Sequence, residues 1–563
     1  MEIAPRTALR VLLLVWGCFW MRGIFYAILF PLWEGYDEYS HFAYVQFLAV
    51  HGELPLVKET RISREVQESL LLVPLPRMLR LPPPHVSHDT YWTLTPEERQ
   101  RRQRQLASLP QEWASQPSTE NHTIYEALHP PLYYALLSLP LRAFDGASLA
   151  ARVISLRLLS MALGSLVIPL GFLVTRRVLG HDGLALTAMT VVAVMPELMI
   201  DICRVANECL AIVLYTLMVY LSLNLAEGKK QARRIWLLGM SLGLGLLTKA
   251  YFLAALPTVF LLILWNLRRA RGGRLGILLR GAGALALATT IAGWWYWRNY
   301  LLTGAIFWQP GGEAYSNLPL IEFLHSITRV DWREVLDSVC VSHIWFGNWS
   351  FLQVRSWMYH TIQFVALLAG VGLLKLLGGL LGKRGKQSSL LFQPAHLFVL
   401  ITYYVFFCLG LAYHVLVLRA ITGLAATQGW YLYALVVPEV TLVTLGLFAL
   451  FPVRWRRVIL PTITSGFALL DLYATNFLLI PYYVGLIAHR PDGHLGSFHV
   501  SQLAEVGPLS VLQRLQINKP GFLTVPILAA TWILYVAATL GLVALCVRLS
   551  RREISLEPDT LPS

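Results

Sequence analysis

The chain has 563 residues, 56% of them hydrophobic and only 14% charged. That excludes an ordinary soluble domain, in which about 25% of residues are charged. The net charge of +14 is no nucleic-acid surface, because it lies in short clusters between apolar runs: Arg176-Arg177, Lys229-Lys230 with Arg233-Arg234, Arg268-Arg269 with Arg271 and Arg274, Lys383-Arg384 with Lys386, Arg454 with Arg456-Arg457, and Arg551-Arg552. This is the pattern of basic cytoplasmic loops in a polytopic membrane protein.

The first apolar run, about Leu9 to Phe30, gives roughly 33 Å of helix, enough to span. Its aromatic residues leave no small-residue cleavage site, so it reads as an uncleaved first span with its N-terminus inside. A long polar segment, about 31–155, follows outside. Spans 2 to 4 are expected at about 156–175, 184–200 and 209–226. The stretch from Ile235 to Trp265 is too long for one helix and breaks at Thr248-Lys249, giving two short spans at about 235–247 and 251–266. Span 7, about 276–296, exits at Trp294-Trp295-Tyr296-Trp297, and a second outer segment runs over about 298–357. Further spans are expected at about 360–380, 395–414, 431–451, 458–479 and 522–546. The fold class is therefore an all-α polytopic membrane protein with about 12 transmembrane helices and both termini cytoplasmic. A transmembrane module of residues 1–480 is followed by an outer loop, a last span and a cytoplasmic tail over 481–563. The six cysteines show no metal-ligand spacing and read as small buried hydrophobes; Cys203 and Cys209 are near enough in sequence to pair outside the membrane, but the buried reading is preferred.

Polar residues that are expensive near hydrocarbon collect on the outer side. Asp37 and Glu38 open an interfacial helix ended by Gly52, with His41 one turn on, sharing a face with Asp37. A polar helix cap is the bland explanation of these acids. His129-Pro130-Pro131-Leu132-Tyr133-Tyr134 opens a second interfacial helix that is too short to span. Asp201, Arg204, Asn207 and Glu208 crowd the short loop between spans 3 and 4. Lys249 sits at the break, Arg298-Asn299 follows span 7, and Gln428-Gly429-Trp430-Tyr431 starts span 10. The basic run Glu97 to Arg104 reads as a solvated helix with Thr95 as N-cap and Pro96 at its first position. Together these outer residues supply carboxylates for a base or a metal and cations for a phosphate, a set that suits sugar transfer from a lipid phosphate.

In order along the chain, Asp37-Glu38 with His41-Phe42-Ala43-Tyr44, Gly52-Glu53-Leu54-Pro55, His129 to Tyr134, Arg157-Leu158-Leu159-Ser160, Asn207-Glu208, Leu247-Thr248-Lys249, Trp294 to Asn299 and Gln428 to Leu432 resemble the GT-C superfamily of integral membrane glycosyltransferases. The nearest look-alikes are the families related to protein mannosyltransferases and aminoarabinose transferases. The chain departs from the family pattern at Glu208, where Asp is usual, and at Trp430, where Arg is usual.

The resemblance implies a hexosyl- or pentosyltransferase that moves a sugar from a polyprenyl-phosphate donor to a glycan, lipid or protein acceptor at the extracytoplasmic face, by an inverting single displacement. Asp37 is then the general base, with Glu38 and Glu208 as catalytic partners. Lys249, Arg298 and Arg204 are the donor-phosphate cations. His41, His129, Asp201, Asn207 and Gln428 are supporting residues. A divalent Mg or Mn held by Asp37 and Glu208 is an open option. The alternatives are a transporter or flippase of lipid-linked sugars, which would place polar residues deep in the spans, and a non-catalytic assembly subunit of the same fold.

Overall fold

The structure, a computed structural model, describes residues 4–77, 79, 85–228, 231–270, 272–304, 306, 318–381 and 393–554. The basic residues Lys229-Lys230, Arg271 and Lys383-Arg384 with Lys386 lie outside the described residues, as do 305 and 307–317 of the second outer segment and the tail 555–563. The protein is almost wholly helical. The described residues contain one sheet, a two-residue parallel pairing of Pro74–Leu75 with Val86–Ser87.

Among the described residues ten helices are long and apolar enough to cross a membrane, or eleven if one bent pair counts as a span. That pair, Asp182–Val194 and Pro196–Ile202, is bent by 69°. Met195 between them is extended, at φ −62° and ψ 119°, as the residue before a proline prefers to be. The remaining member of the expected twelve is Gln231–Leu246, a helix of only 16 residues. It ends at the expected break: Lys249 is extended (φ −157°, ψ 138°), and the chain resumes as the 3-10 turn Ala250–Ala255 and the helix Leu256–Arg269. The seventh span is longer than expected. It runs Arg274–Thr303, so Arg298 and Asn299 sit inside its last turns instead of following it.

The first span, Pro5–Leu29, starts with proline at its first position and stops before Pro31. Its orphan terminal carbonyls are met by two cations from distant segments. Arg157 donates to Phe30 O and Pro31 O, each at 2.7 Å. Lys519 donates to Ile28 O and, at 3.2 Å, to Leu29 O. Positive charge at a helix C-terminus also complements its dipole.

Deeper in the bundle Arg22 pairs with Asp471 at 2.9 Å, both fully buried. Tyr26 and Tyr535 donate to the same carboxylate, Tyr535 at 2.9 Å. Arg22 also donates to Ala193 O and Val194 O, two carbonyls left open where Pro196 interrupts the helix. The cluster joins the first span, Asp182–Val194, Val453–Ala474 and Val525–Ile554. Ser356–Leu381 and Val436–Leu450 approach through Gly372 and Gly446: a Cβ on Gly372 would lie 1.8 Å from Gly446 O, the close contact that small residues permit between spans.

The helix Glu208–Ala226, about 28 Å long, separates two ends of the bundle. At its Ala226 end gather Arg177, Glu227, Arg269 and His396. At its Glu208 end lie the two short helices that the sequence predicts to be interfacial. Glu38–His51 closes on Gly52, which adopts φ 70° and donates to Leu48 O at 3.1 Å. Leu132–Ala143 is the second of the two. The basic run forms Pro96–Ala107, with Thr95 Oγ1 accepting from Glu98 N as expected. Arg99 and Arg102 of this helix are built into the fold, donating to Trp92 O and Leu71 O. All six cysteines are free, so Cys203 and Cys209 do not pair.

Candidate active site

Asp37 stands at the N-cap of Glu38–His51 with φ 52° and ψ 18°, a left-handed conformation that costs a non-glycine residue of order 1 kcal/mol. Its side chain makes no capping hydrogen bond. The carboxyl is half-buried. Burial, then the charge of Glu126, pushes its pKa up from 3.8 to about 7, against the pull of Arg204 and Lys249.

Glu38 has a different setting. It is fully buried, and Arg157 grips both its oxygens, Nε at 2.7 Å and Nη2 at 2.5 Å, while Val205 N donates to it at 3.1 Å. Its bonds fasten the interfacial helix to Leu149–Gly164 and to the 203–207 turn. Such saturation fits an anchoring role and leaves no oxygen free for chemistry.

The Asp201–Glu208 turn and the Lys249 break meet in a ladder of alternating charge. Arg204 donates to Asp201 at 2.6 Å and to Tyr36 O at 2.7 Å, and lies 3.5 Å from Glu208. Glu208 pairs in turn with Lys249. Asn207 secures the break by donating to Thr248 O at 3.1 Å. Lys249 Nζ lies 5.0 Å from the ring centre of Tyr431, within cation–π range. Burial, then Arg204, pushes the Lys249 ammonium down to about 7, against Asp201, Glu126 and Asp37.

The expected supporting residues divide. His41 is not bonded to Asp37: its Nδ1 is 2.8 Å from Tyr134 OH and 3.8 Å from Glu126. Burial lowers its pKa to about 3, so it is neutral at pH 7. His129 pairs with Glu126 at 2.9 Å. Glu126 was not anticipated, yet it is the acid that raises Asp37. Burial pushes Glu126 up, but the neighbouring His41 and His129 imidazoles outweigh this and hold it at about 2. The signal was present: Glu126 precedes His129 by three residues, just ahead of the Pro-Pro entry. Glu197 was also missed. It accepts from Tyr36 OH at 3.0 Å and Phe346 N at 2.8 Å, holding the residue before Asp37.

Arg298 donates to Pro55 O at 3.2 Å and covers the Trp295 ring at 5.1 Å. It stands apart from the ladder, with one buried guanidinium nitrogen, Nη1, not hydrogen-bonded. Gln428 caps the 3-10 turn Gly429–Leu435, its Oε1 buried and without a hydrogen bond. Trp430, in place of the family arginine, stacks on Tyr36 with ring centres 4.1 Å apart and planes at 18°. On another side of the interfacial helix an open cavity of about 420 Å³ is lined by Phe47, His51, Arg61, Gln116 and Ile124 among others.

A divalent metal does not fit Asp37 and Glu208. Glu208 is already engaged by Lys249 and lies near Arg204, so a dication would face two cations. No group of three or more His, Cys, Asp or Glu among the described residues could hold one.

Residues 128–297 match the family model described as dolichyl-phosphate-mannose-protein mannosyltransferase. The match takes in His129, Arg157, the charge ladder and the Trp294–Trp297 cluster, and leaves out Asp37 and Gln428. No curated protein matches the chain. Among solved structures, ArnT from Cupriavidus metallidurans bound to undecaprenyl phosphate is 14% identical, covering 98% of this chain and 78% of that one at a TM-score of 0.44. The apo state of the same protein is 12% identical, covering 90% and 75%, at 0.38. Likenesses this distant carry no argument about the site. By its motifs and by the family match over 128–297, the chain is a multi-pass helical membrane protein similar to the GT-C integral membrane glycosyltransferases.

Proposed function

We propose that the protein transfers a sugar from a polyprenyl phosphate to an acceptor hydroxyl or amine. The observation that carries this reading is Asp37: a strained, uncapped carboxyl with a pKa of about 7, beside the ladder of Arg204, Glu208 and Lys249. A general base is most effective with its pKa near the working pH. In the displacement the acceptor oxygen or nitrogen attacks the anomeric carbon and its proton passes to Asp37. The bond from that carbon to the phosphate oxygen breaks, and the electron pair leaves with the phosphate. Lys249 and Arg204 stabilise the charge that develops there, sharing their ion pairs with Glu208. A phosphate leaving group is a weak base, so no second catalytic acid is required. In this reading the ladder supplies the positive charge and Mg or Mn is dispensable.

The family resemblance supports a lipid-linked donor, and the basic clusters support placing the Asp37 end outside and both termini inside. The Arg22–Asp471 pair is deep, as a transporter would require, but it is fully buried and bonded, as a staple is. The test uses purified protein in nanodiscs with undecaprenyl- and dolichyl-phosphate sugars, reading lipid and acceptor by mass spectrometry. Release of polyprenyl phosphate by wild type but not by Asp37→Asn supports the assignment. Equal rates for both overturn Asp37 as base, and lipid translocation without donor consumption overturns the enzyme reading.

A further inference from the structure

The second outer segment contributes a helix, Trp332–Ile344, whose last turn grips the start of the Gly429–Leu435 turn. Gly429 N–H donates to Ser342 Oγ at 2.7 Å, and Gly429 O lies 3.0 Å from His343 Nδ1. Only glycine fits: a Cβ there would lie 1.9 Å from Val339 O and 2.6 Å from His343 N. The residues on either side of this peptide reach the site. Trp430 stacks on Tyr36 and Tyr431 lies over Lys249, while Gln428 Oε1 stays buried without a hydrogen bond.

The second ring nitrogen of His343, Nε2, is 2.9 Å from Glu439 Oε1. A backbone carbonyl cannot donate, so Nδ1 carries a hydrogen. A carboxylate cannot donate either, so one further proton must lie between Nε2 and Glu439.

We infer that His343 is a positioning residue for the donor site: with Ser342 it clamps the Gly429 peptide, so that a proton shared with Glu439 sets how Trp430 and Tyr431 meet Tyr36 and Lys249. This rests on the proposed donor reading for its kinetic consequence, but not for the clamp itself. Burial would lower the His343 pKa, yet Glu439, with the Gly429 carbonyl, raises it. The other groups facing the pair are Glu197 and Tyr433 and, about Glu439, Tyr404, Cys408 and Cys340. The phenols and thiols are uncharged at neutral pH. Once the shared proton is lost in alkali, two lone pairs face each other and the clamp loosens.

The experiment compares full-length wild type, His343→Ala and Glu439→Gln in nanodiscs, measuring donor KM and kcat against pH and amide exchange over residues 427–435. We expect His343→Ala to raise donor KM roughly tenfold, with kcat within about threefold, and to speed exchange in 427–435. In wild type KM rises in alkali. In Glu439→Gln, where the amide donates to Nε2 without titrating, that rise shrinks to the part left by the loss of the Lys249 charge. Wild-type KM and exchange in His343→Ala, or an alkaline rise in Glu439→Gln as large as in wild type, overturns the inference. If wild type consumes no donor, the proposed function falls. The exchange arm still decides the clamp, which fails if His343→Ala exchanges like wild type.

Discussion

Replacing Asp37 by Asn is expected to make the protein less active and more stable at once. Asn is tolerated in the left-handed conformation that residue 37 adopts, so the backbone need not move. The carboxyl titrates at 3.8 when exposed and at about 7 in the fold. Between those values the unfolded chain releases a proton that the folded chain keeps, so Asp37 weakens the fold increasingly as pH rises from about 4 to about 7. At about 1.4 kcal/mol per pH unit the penalty is about 2 kcal/mol at pH 5.5 and about 4 kcal/mol at pH 8. Both are upper limits, because Asp37 is half-buried and water screens it. Asn carries no such penalty. Thermal unfolding of both proteins in nanodiscs at pH 5.5 and pH 8 measures the effect. Asp37→Asn should unfold at the higher temperature, by a margin that widens at pH 8, while transfer falls by about 100-fold to 10,000-fold, the usual worth of a general base. A variant no more stable than wild type at pH 8, or a margin independent of pH, would refute the reasoning about burial and charge at this site.

Other expectations follow from the same geometry. Asp37 serves as a base only above about 7, and Lys249 keeps its charge only below about 7, so kcat/KM should peak narrowly near neutral pH. Removing the neighbouring charge with Glu126→Gln should move the acid limb to lower pH, visible in the same rate profile. Glu38→Ala strips a buried arginine of its partner and should destabilise the protein by about 3–5 kcal/mol, read as reduced thermal stability of the purified protein. Asp471→Leu should cost a similar amount by leaving Arg22 buried alone. Adding Arg22→Met should restore most of it, as a double-mutant cycle of unfolding temperatures would show.

Local pattern was enough for much of this protein. Apolar length marked the spans, Gly52 and Thr95 ended and began their helices, and the Thr248-Lys249 break fell where the run was too long. Those features depend on residues close in sequence, where periodicity and capping act. The polar residues of the site were also visible, since acids and cations are conspicuous in an apolar chain. Their roles were not. Asp37 and Glu38 are adjacent and chemically alike, yet one is left uncapped with a pKa of about 7 and the other is locked onto Arg157, 119 residues away. His41 shares a helical face with Asp37 but bonds Tyr134, while Glu126, from the 3-10 turn Tyr125–Leu128, tunes Asp37. Burial and the nearest charge decide what an ionisable group does. The sequence by itself determined a polytopic helical membrane protein with acids and cations gathered at one end of its spans. Only the tertiary structure decided which acid is free and which is an anchor, because both depend on partners brought from distant segments.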